Sequence, residues 1–538
     1  MSCFRKGQMV IYTNILFTAL VLSSSYATSS VVVSTADGFL RGLSQTILGK
    51  DIQVFLGIPY AKPPVEELRF QKPQPPSPRD GVYDATGAKN SCMQPPYPKM
   101  FDIPTELSED CLYLNVWTPL ASERLKLPVL IWFHGGMFTA GSAYETRYNG
   151  SALAALNDVV VVSCNFRLSV FGFLDANHTE APGNLGLWDQ LFVLQWVRRN
   201  IRAFGGDPHA VTLFGESSGA RMTHAHVLSP HSRDLFHRVF LMSTAISHDT
   251  CVDTVAQSIT KGNVLSKAVG CGSFDLSTNT SQALECLRRR EAEGICTATQ
   301  LIFRPTLETE FLPFLPSVAI ENEYFSTVDA MVSVTANEGP FVFLVLRDDE
   351  VVKDDLSTVG GDLLKASVDS LMRTFSNDSF RAVATDYMKA IPADNKTALR
   401  QMVAGLMGDC LFNCPTRLFA EKYSAKGRKV YAAVFAHRSR KSQLPEWFGA
   451  MHLQEVQFVF GIPFLDPANY TDEDREYSVY AMKSLASFAR TGVPVLPDGT
   501  EWPEFSLQHG DFIWLQPGNY TMAKNFVATS CDLWRTLL

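Results

Sequence analysis

Between residues 127 and 244, short apolar runs alternate with helix-like segments. "LPVLIWFHGG" (127–136), "DVVVVSCNF" (158–166), "AVTLFG" (210–215) and "RVFLMST" (238–244) are apolar along nearly their whole length. A strand with one wet face alternates apolar and polar residues, whereas a continuous apolar run fits a strand buried on both faces. Among these runs, "GNLGLWDQLFVLQWVRRNIRAFGG" (183–206) carries apolar residues at helical spacing and stops at Gly-Gly. "ESSGARMTHAHVLS" (216–229) reads as a second helix. Strands alternating with helices imply an α/β fold: a large, mostly parallel central sheet with helices on both faces.

The flanks are less regular. "VVVSTADGFLRGL" (31–43) and "IQVFLGIPYA" (52–61) read as strands of a hairpin-like opening, followed by a Pro-rich loop (62–78) and a further strand, "LYLNVWTP" (112–119). After residue 250 the pattern turns helical, with late strands at "AMVSVTAN" (330–337) and "KVYAAVFAH" (429–437). A chain of 538 residues could hold three or four domains of about 150 residues each. No repeat or low-complexity linker divides it, so one domain over 28–538 with long insertions is expected. A net charge of −8 without a long basic run argues against nucleic-acid binding.

The N-terminus reads as a secretory leader over residues 1–27. Arg5 and Lys6 precede a short apolar run, Ile15 to Leu22, and small residues end at Ala27. That run is too short to span a bilayer, which takes about 20 apolar residues. Export predicts disulfides among the ten cysteines left after Cys3 is removed with the leader, although spacing alone gives no pairing. Cys164, in an apolar strand, suits a buried thiol. Seven N-x-S/T sequons are candidate glycosylation sites: Asn149, Asn177, Asn279, Asn377, Asn395, Asn469 and Asn519. The expected location is the extracellular space or the secretory lumen.

"VTLF-GESSG-ARMTHAHV" places Ser217 between a strand and a helix, as a nucleophile elbow requires, though a small-residue loop would read the same. Gly215 and Gly219 would let strand and helix approach closely. A serine needs a base, and the base needs an orienting carboxylate. Glu338 follows a predicted sheet strand directly; a strand-end surface glutamate is the plain alternative. Three histidines follow it: His437, His452 and His509. His452, in an apolar loop, is weakly favoured on local grounds. "HGGMF" (134–138) follows a buried strand and could supply oxyanion N–H donors, or be a simple Gly-Gly turn.

These motifs together resemble the type-B carboxylesterase and cholinesterase family of α/β-hydrolases. The resemblance rests on "FLGIPYAKPP" (55–64), "EDCLYLNVW" (109–117), "FRLSVFGFL" (166–174), "APGNLGLWDQ" (181–190), "FGGDPHAVTLFGESSGA" (204–220) and "PEWFGAMHLQEVQFVFGIP" (445–463). It implies Ser217 as nucleophile, Glu338 as acid and His452 as base, with oxyanion donors from Gly135, Gly136 and Ser218. The family usually has alanine at the Ser218 position. The resemblance also implies disulfides Cys92–Cys111, Cys271–Cys286 and Cys414–Cys531, and leaves Cys251, Cys296 and Cys410 unassigned. Arg69 with Glu109 and Arg167 with Asp189 are similar to the family's buried ion pairs.

The substrate pocket implied by the resemblance includes Phe101, Glu216, Phe341 and Val342. Phe101 stands where cholinesterases carry their cation-binding tryptophan, and phenylalanine holds a cation less well. Val342 stands at an acyl-pocket phenylalanine, and the tryptophan usually found after the elbow is missing from "STAISHDTCV". The resemblance therefore implies a broad secreted carboxylesterase acting on small-molecule esters, with a choline-ester hydrolase as the alternative. A neuroligin-like adhesion protein, which keeps the scaffold without the catalytic residues, fits less well. No metal, organic cofactor or stable membrane anchor is expected, and the oligomeric state is left open.

Overall fold

The computed structural model describes residues 29–96, 101–246, 252–345, 352, 385, 395–527 and 531–535. The expected leader (1–27), Asn377 and Cys251 lie outside the described residues. Twelve strands among those described form one continuous sheet path. They are β1 (Ser29–Thr35), β2 (Gly38–Ile47), β3 (Lys50–Pro59), β4 (Tyr113–Thr118), β5 (Leu127–Phe133), β6 (Val160–Cys164), β7 (Gly206–Glu216), β8 (Arg238–Met242), β9 (Asp329–Thr335), β10 (Val430–Phe435), β11 (Phe512–Gln516) and β12 (Asn519–Ala523). The spatial order is β1-β2-β3-β4-β6-β5-β7-β8-β9-β10-β11-β12, with Val82–Asp84 added beside β2. From β6 to β11 all neighbours are parallel, and the pairs outside that block on the path are antiparallel. The opening differs from a single hairpin: residues 31–43 themselves turn at Ala36-Asp37, so β1, β2 and β3 form a meander.

The apolar runs are continuous because the sheet is covered on both faces. Along β5, Val129, Ile131 and Phe133 join one core cluster while Leu130 and Trp132 join the other. Helix α1 (Leu185–Asn200) packs into the first cluster and runs into a 3-10 turn, Ile201–Phe204, that ends at Gly205 in the left-handed region, φ 81°. Helix α2 (Ser218–Leu228) lies on the same side. The remaining helices that bear on the site are α3 (Phe341–Val345), α4 (Lys396–Gly408), α5 (Cys414–Ala425) and α6 (Asp472–Thr491); α6 covers the second face.

The strand order reverses at β5. The chain leaves β5 for β6 on one side, then returns past β5 to β7 on the other. A crevice opens at the carboxyl ends of strands at such a switch point. The residues there are His134–Gly136 after β5 and Ser217 after β7.

Candidate active site

Ser217 caps α2 with φ 57° and ψ −126°, a conformation that costs a non-glycine residue about 1–3 kcal/mol. The surroundings over-determine it. Its N–H donates to Met242 O at 3.0 Å, and its carbonyl accepts from Arg221 N at 3.1 Å. A Cβ on Gly219 would lie 2.0 Å from Phe133 O, so only glycine lets α2 sit this close to β5. The positive end of α2 thus points at the serine.

The loop after β5 passes directly beside this turn. A Cβ on Gly135 would lie 3.2 Å from Ser217 Cβ, and Gly136 holds φ 114°. Among the described residues, the N–H groups of Gly135, Gly136 and Ser218 donate to no protein acceptor. The Ser218 hydroxyl accepts from Phe138 N at 3.3 Å, which ties the glycine loop to the elbow. His134 is stacked on Phe166 with ring centroids 4.4 Å apart, and burial lowers its pKa to about 4, so it is neutral.

His452 reaches the same region from a loop pinned to the end of β9. Asn337 N donates to Ala450 O at 3.0 Å, and Asn337 Oδ1 accepts from Ala450 N at 3.1 Å. One residue further, Glu338 accepts from Thr335 N through Oε1 (2.7 Å) and from His452 Nδ1 through Oε2 (2.6 Å). His452 Nδ1 is the donor to Glu338, so in the neutral imidazole Nε2 carries the lone pair. Nε2 faces Glu216 Oε1 at 2.9 Å, so the ring is bracketed by two carboxylates and its protonated form is favoured. His452, Glu216 and Glu338 are all buried.

The electrostatics follow from that crowding. Burial opposes charge on His452, but Glu216 and Glu338 outweigh it and raise the imidazole pKa. Burial raises the Glu216 carboxyl, and the nearby Glu338 adds to it. Glu455 is also buried and is held well above the usual carboxylate range, by burial first and then by Glu216 and Glu338. Its Oε1 accepts from Ser243 Oγ at 3.2 Å. Glu455 was not among the residues singled out from sequence; its signal is an acid three residues past His452 within an apolar stretch.

The other expected residues fall as follows. Phe341 lies on His452 with ring centroids 4.6 Å apart, and Val342 is its buried neighbour on α3. Phe101 is buried in the loop closed by the Cys92–Cys111 bridge. Cys271–Cys286 and Cys414–Cys531 are also bonded; Cys164 and Cys296 are buried thiols, and Cys410 is buried between α4 and α5. Arg69 and Arg167 each grip their carboxylates, Glu109 and Asp189, through two nitrogens. His437 pairs with Asp474 instead of joining the site, and His509 lies in an exposed turn. Six sequon asparagines, Asn149, Asn177, Asn279, Asn395, Asn469 and Asn519, are exposed. A cavity of about 380 Å³ is lined by Thr139, Leu265, Cys296, Leu301, Phe303 and Val345 among others; its described lining residues carry no charge and include none of Ser217, Glu338 and His452. No described helix is long and apolar enough to cross a membrane.

Known proteins resemble this chain over nearly its whole length. The carboxylesterase family model matches residues 29–534. Acetylcholinesterase-1 of Trittame loki is 36% identical, over 97% of this chain and 98% of that protein. Acetylcholinesterase of Bungarus fasciatus is 35% identical over 94% of this chain and 86% of that protein. Acetylcholinesterase of Leptinotarsa decemlineata is 32% identical over 95% and 87% respectively.

Proposed function

The chain belongs to the carboxylesterase family, and on that premise we propose that it hydrolyses carboxylic esters through an acyl-enzyme on Ser217. The observation that supports this most is His452 clasped at Nδ1 by Glu338, with Nε2 beside Glu216 of the elbow, at a switch point that also holds a strained serine. His452 Nε2 takes the Ser217 proton as Oγ attacks the ester carbonyl. Glu338 holds the tautomer and stabilises the imidazolium. The N–H groups of Gly135, Gly136 and Ser218 receive the oxyanion, each worth about 2.7–4 kcal/mol by analogy with single-donor deletions. His452 then protonates the leaving alcohol. Water repeats the sequence on the acyl group and regenerates Ser217.

The substrate class we propose is a neutral ester with a sizeable apolar part. Phe101 and Val342 support it, at positions where cholinesterases carry larger or more cation-binding aromatics. A choline-ester hydrolase is the second reading, favoured by the printed names of the relatives. Three disulfides and six exposed sequon asparagines support an exported, glycosylated protein.

An ester panel of varied acyl length, with and without choline, run on wild type and Ser217→Ala, tests both levels. Ser217→Ala is expected to lose at least about 10⁴-fold in kcat. Undiminished turnover removes Ser217 from the mechanism. A strong preference for acetylcholine over aliphatic esters selects the second reading.

A further inference from the structure

Helices α4 and α5 are joined without a break by a π-helical turn, Asp409–Asn413. A π turn inserts one residue into the helical repeat, and such insertions concentrate at functional sites. Here the turn faces the base. The Phe412 ring is stacked on the His452 imidazole, with centroids 4.0 Å apart and planes 30° apart, and is itself only 4% exposed. The turn is also fastened to the catalytic end of the sheet. Leu411 O accepts from Arg221 Nη2 at 2.8 Å and from Thr244 Oγ1 at 2.9 Å, on the segments that follow Ser217 and β8. Helix α4 packs against the turn that carries Glu338: the Cβ position of Gly339 lies 1.7 Å from Ala404 O.

We propose that Phe412 is a positioning residue for the His452 base, holding the ring plane by stacking and stabilising the imidazolium that forms during proton transfer. This rests on the Ser217–His452 reading above. A single hydrogen bond at Nδ1 leaves the imidazole free to turn about that bond. A ring face fixes the plane, and Phe341 touches the imidazole from a second side. An aromatic face also attracts a cation more strongly than a neutral imidazole. The contact therefore strengthens as charge develops, and an interaction made chiefly in the transition state appears in kcat, not KM.

The test is kcat, KM and the pH dependence of kcat/KM for a neutral ester, on wild type, Phe412→Leu, Phe412→Tyr and Ser217→Ala. Leucine keeps the bulk and loses the ring; tyrosine keeps the ring. The charged and titratable groups facing the imidazole are Glu338 from the end of β9, Glu216 from the elbow and Glu455 from its own segment, with Arg221 on α2 and Asp409 on the π turn behind Phe412; no substitution here removes any of them. Phe412→Leu is expected to lower kcat about tenfold with KM within about twofold, and to move the acid limb down by about 0.5–1 pH unit, since the imidazolium loses a stabilising face. Phe412→Tyr is expected to restore the limb and most of kcat. If Phe412→Leu is folded and leaves kcat and the limb unchanged while Ser217→Ala is inactive, this proposal alone is overturned. A rise in KM alone, or a drop in melting temperature alone, overturns it too. If Ser217→Ala is active, the catalytic reading on which it rests fails as well.

Discussion

The molecule contains two buried histidine–carboxylate pairs near the carboxyl ends of its parallel strands, and they are built to opposite ends. His437 lies two residues past β10, and its Nε2 is 2.7 Å from Asp474 Oδ1. Asp474 Oδ2 accepts from Ser439 Oγ, Thr471 N and Thr471 Oγ1, each at 2.8 Å, and the residue also completes the N-terminal capping box of α6. That carboxylate is fully subscribed. Burial works against its charge, but hydrogen bonds from His437, Thr471 and Ser439 pull its pKa to about 2. Around His452 the balance is reversed. Nδ1 is held by Glu338, Nε2 faces Glu216, and the extra carboxylates Glu216 and Glu455 are pushed upward. A fully hydrogen-bonded pair fastens a helix to a sheet; several buried acids crowded on one imidazole perturb its proton affinity, as sites of proton transfer do.

The sharpest way to break this contrast is to delete each imidazole in turn. His452→Ala should lower kcat by at least about 10⁴-fold, as loss of a triad base does, with little change in melting temperature. His437→Ala should leave kcat within about threefold and lower the melting temperature. Equal kinetic losses in the two variants would erase the distinction.

The next test is thermodynamic. Asp474 has a folded pKa of about 2 against an unfolded value of about 3.9. A carboxylate lowered in the folded state stabilises the fold above the unfolded value and loses that contribution as pH falls through the folded one. Discounted for solvent screening, this group contributes on the order of 1–2 kcal/mol at neutral pH, lost between about pH 4 and 2. Asp474→Asn should be destabilised at pH 7, and the gap to wild type in denaturant unfolding should narrow as pH approaches 2. A gap that stays constant with pH would mean that Asp474 is not held ionised by its partners.

Much of this architecture was legible in the residues. The apolar runs at 127–133, 160–164 and 210–216 are strands because both faces are buried, and a continuous pattern records that directly. Ser217 and the glycines about it were legible because an elbow needs small residues at fixed offsets. His452 was only weakly favoured over His437 by local sequence, since both lie in or beside apolar segments and the difference is made by Asp474 and Glu338, 37 and 114 residues away. Phe412 had no signal at all: a π turn between two helices leaves no pattern in an apolar stretch flanked by cysteines. The turn at Ala36-Asp37 was missed although Asp37-Gly38 is a turn signal, because the apolar residues on either side read as one strand.

The mildest intervention is to make the catalytic pair more like the structural one by removing its second carboxylate. Glu216 Oε1 lies 2.9 Å from His452 Nε2, and its negative charge favours the imidazolium. Glu216→Gln keeps the shape and removes that charge. The imidazole should then release its proton at lower pH, so the acid limb of kcat/KM moves down by up to about one pH unit, the scale on which 1.36 kcal/mol of lost interaction is read. The sign is fixed by the charge: a carboxylate beside a base can only raise that base's pKa, and its removal can only lower it. The variant should therefore lose least relative to wild type on the acid limb and most on the plateau above it, where only the imidazolium of the transition state still gains from Glu216. A limb that moves upward would place the charge of Glu216 elsewhere than at His452.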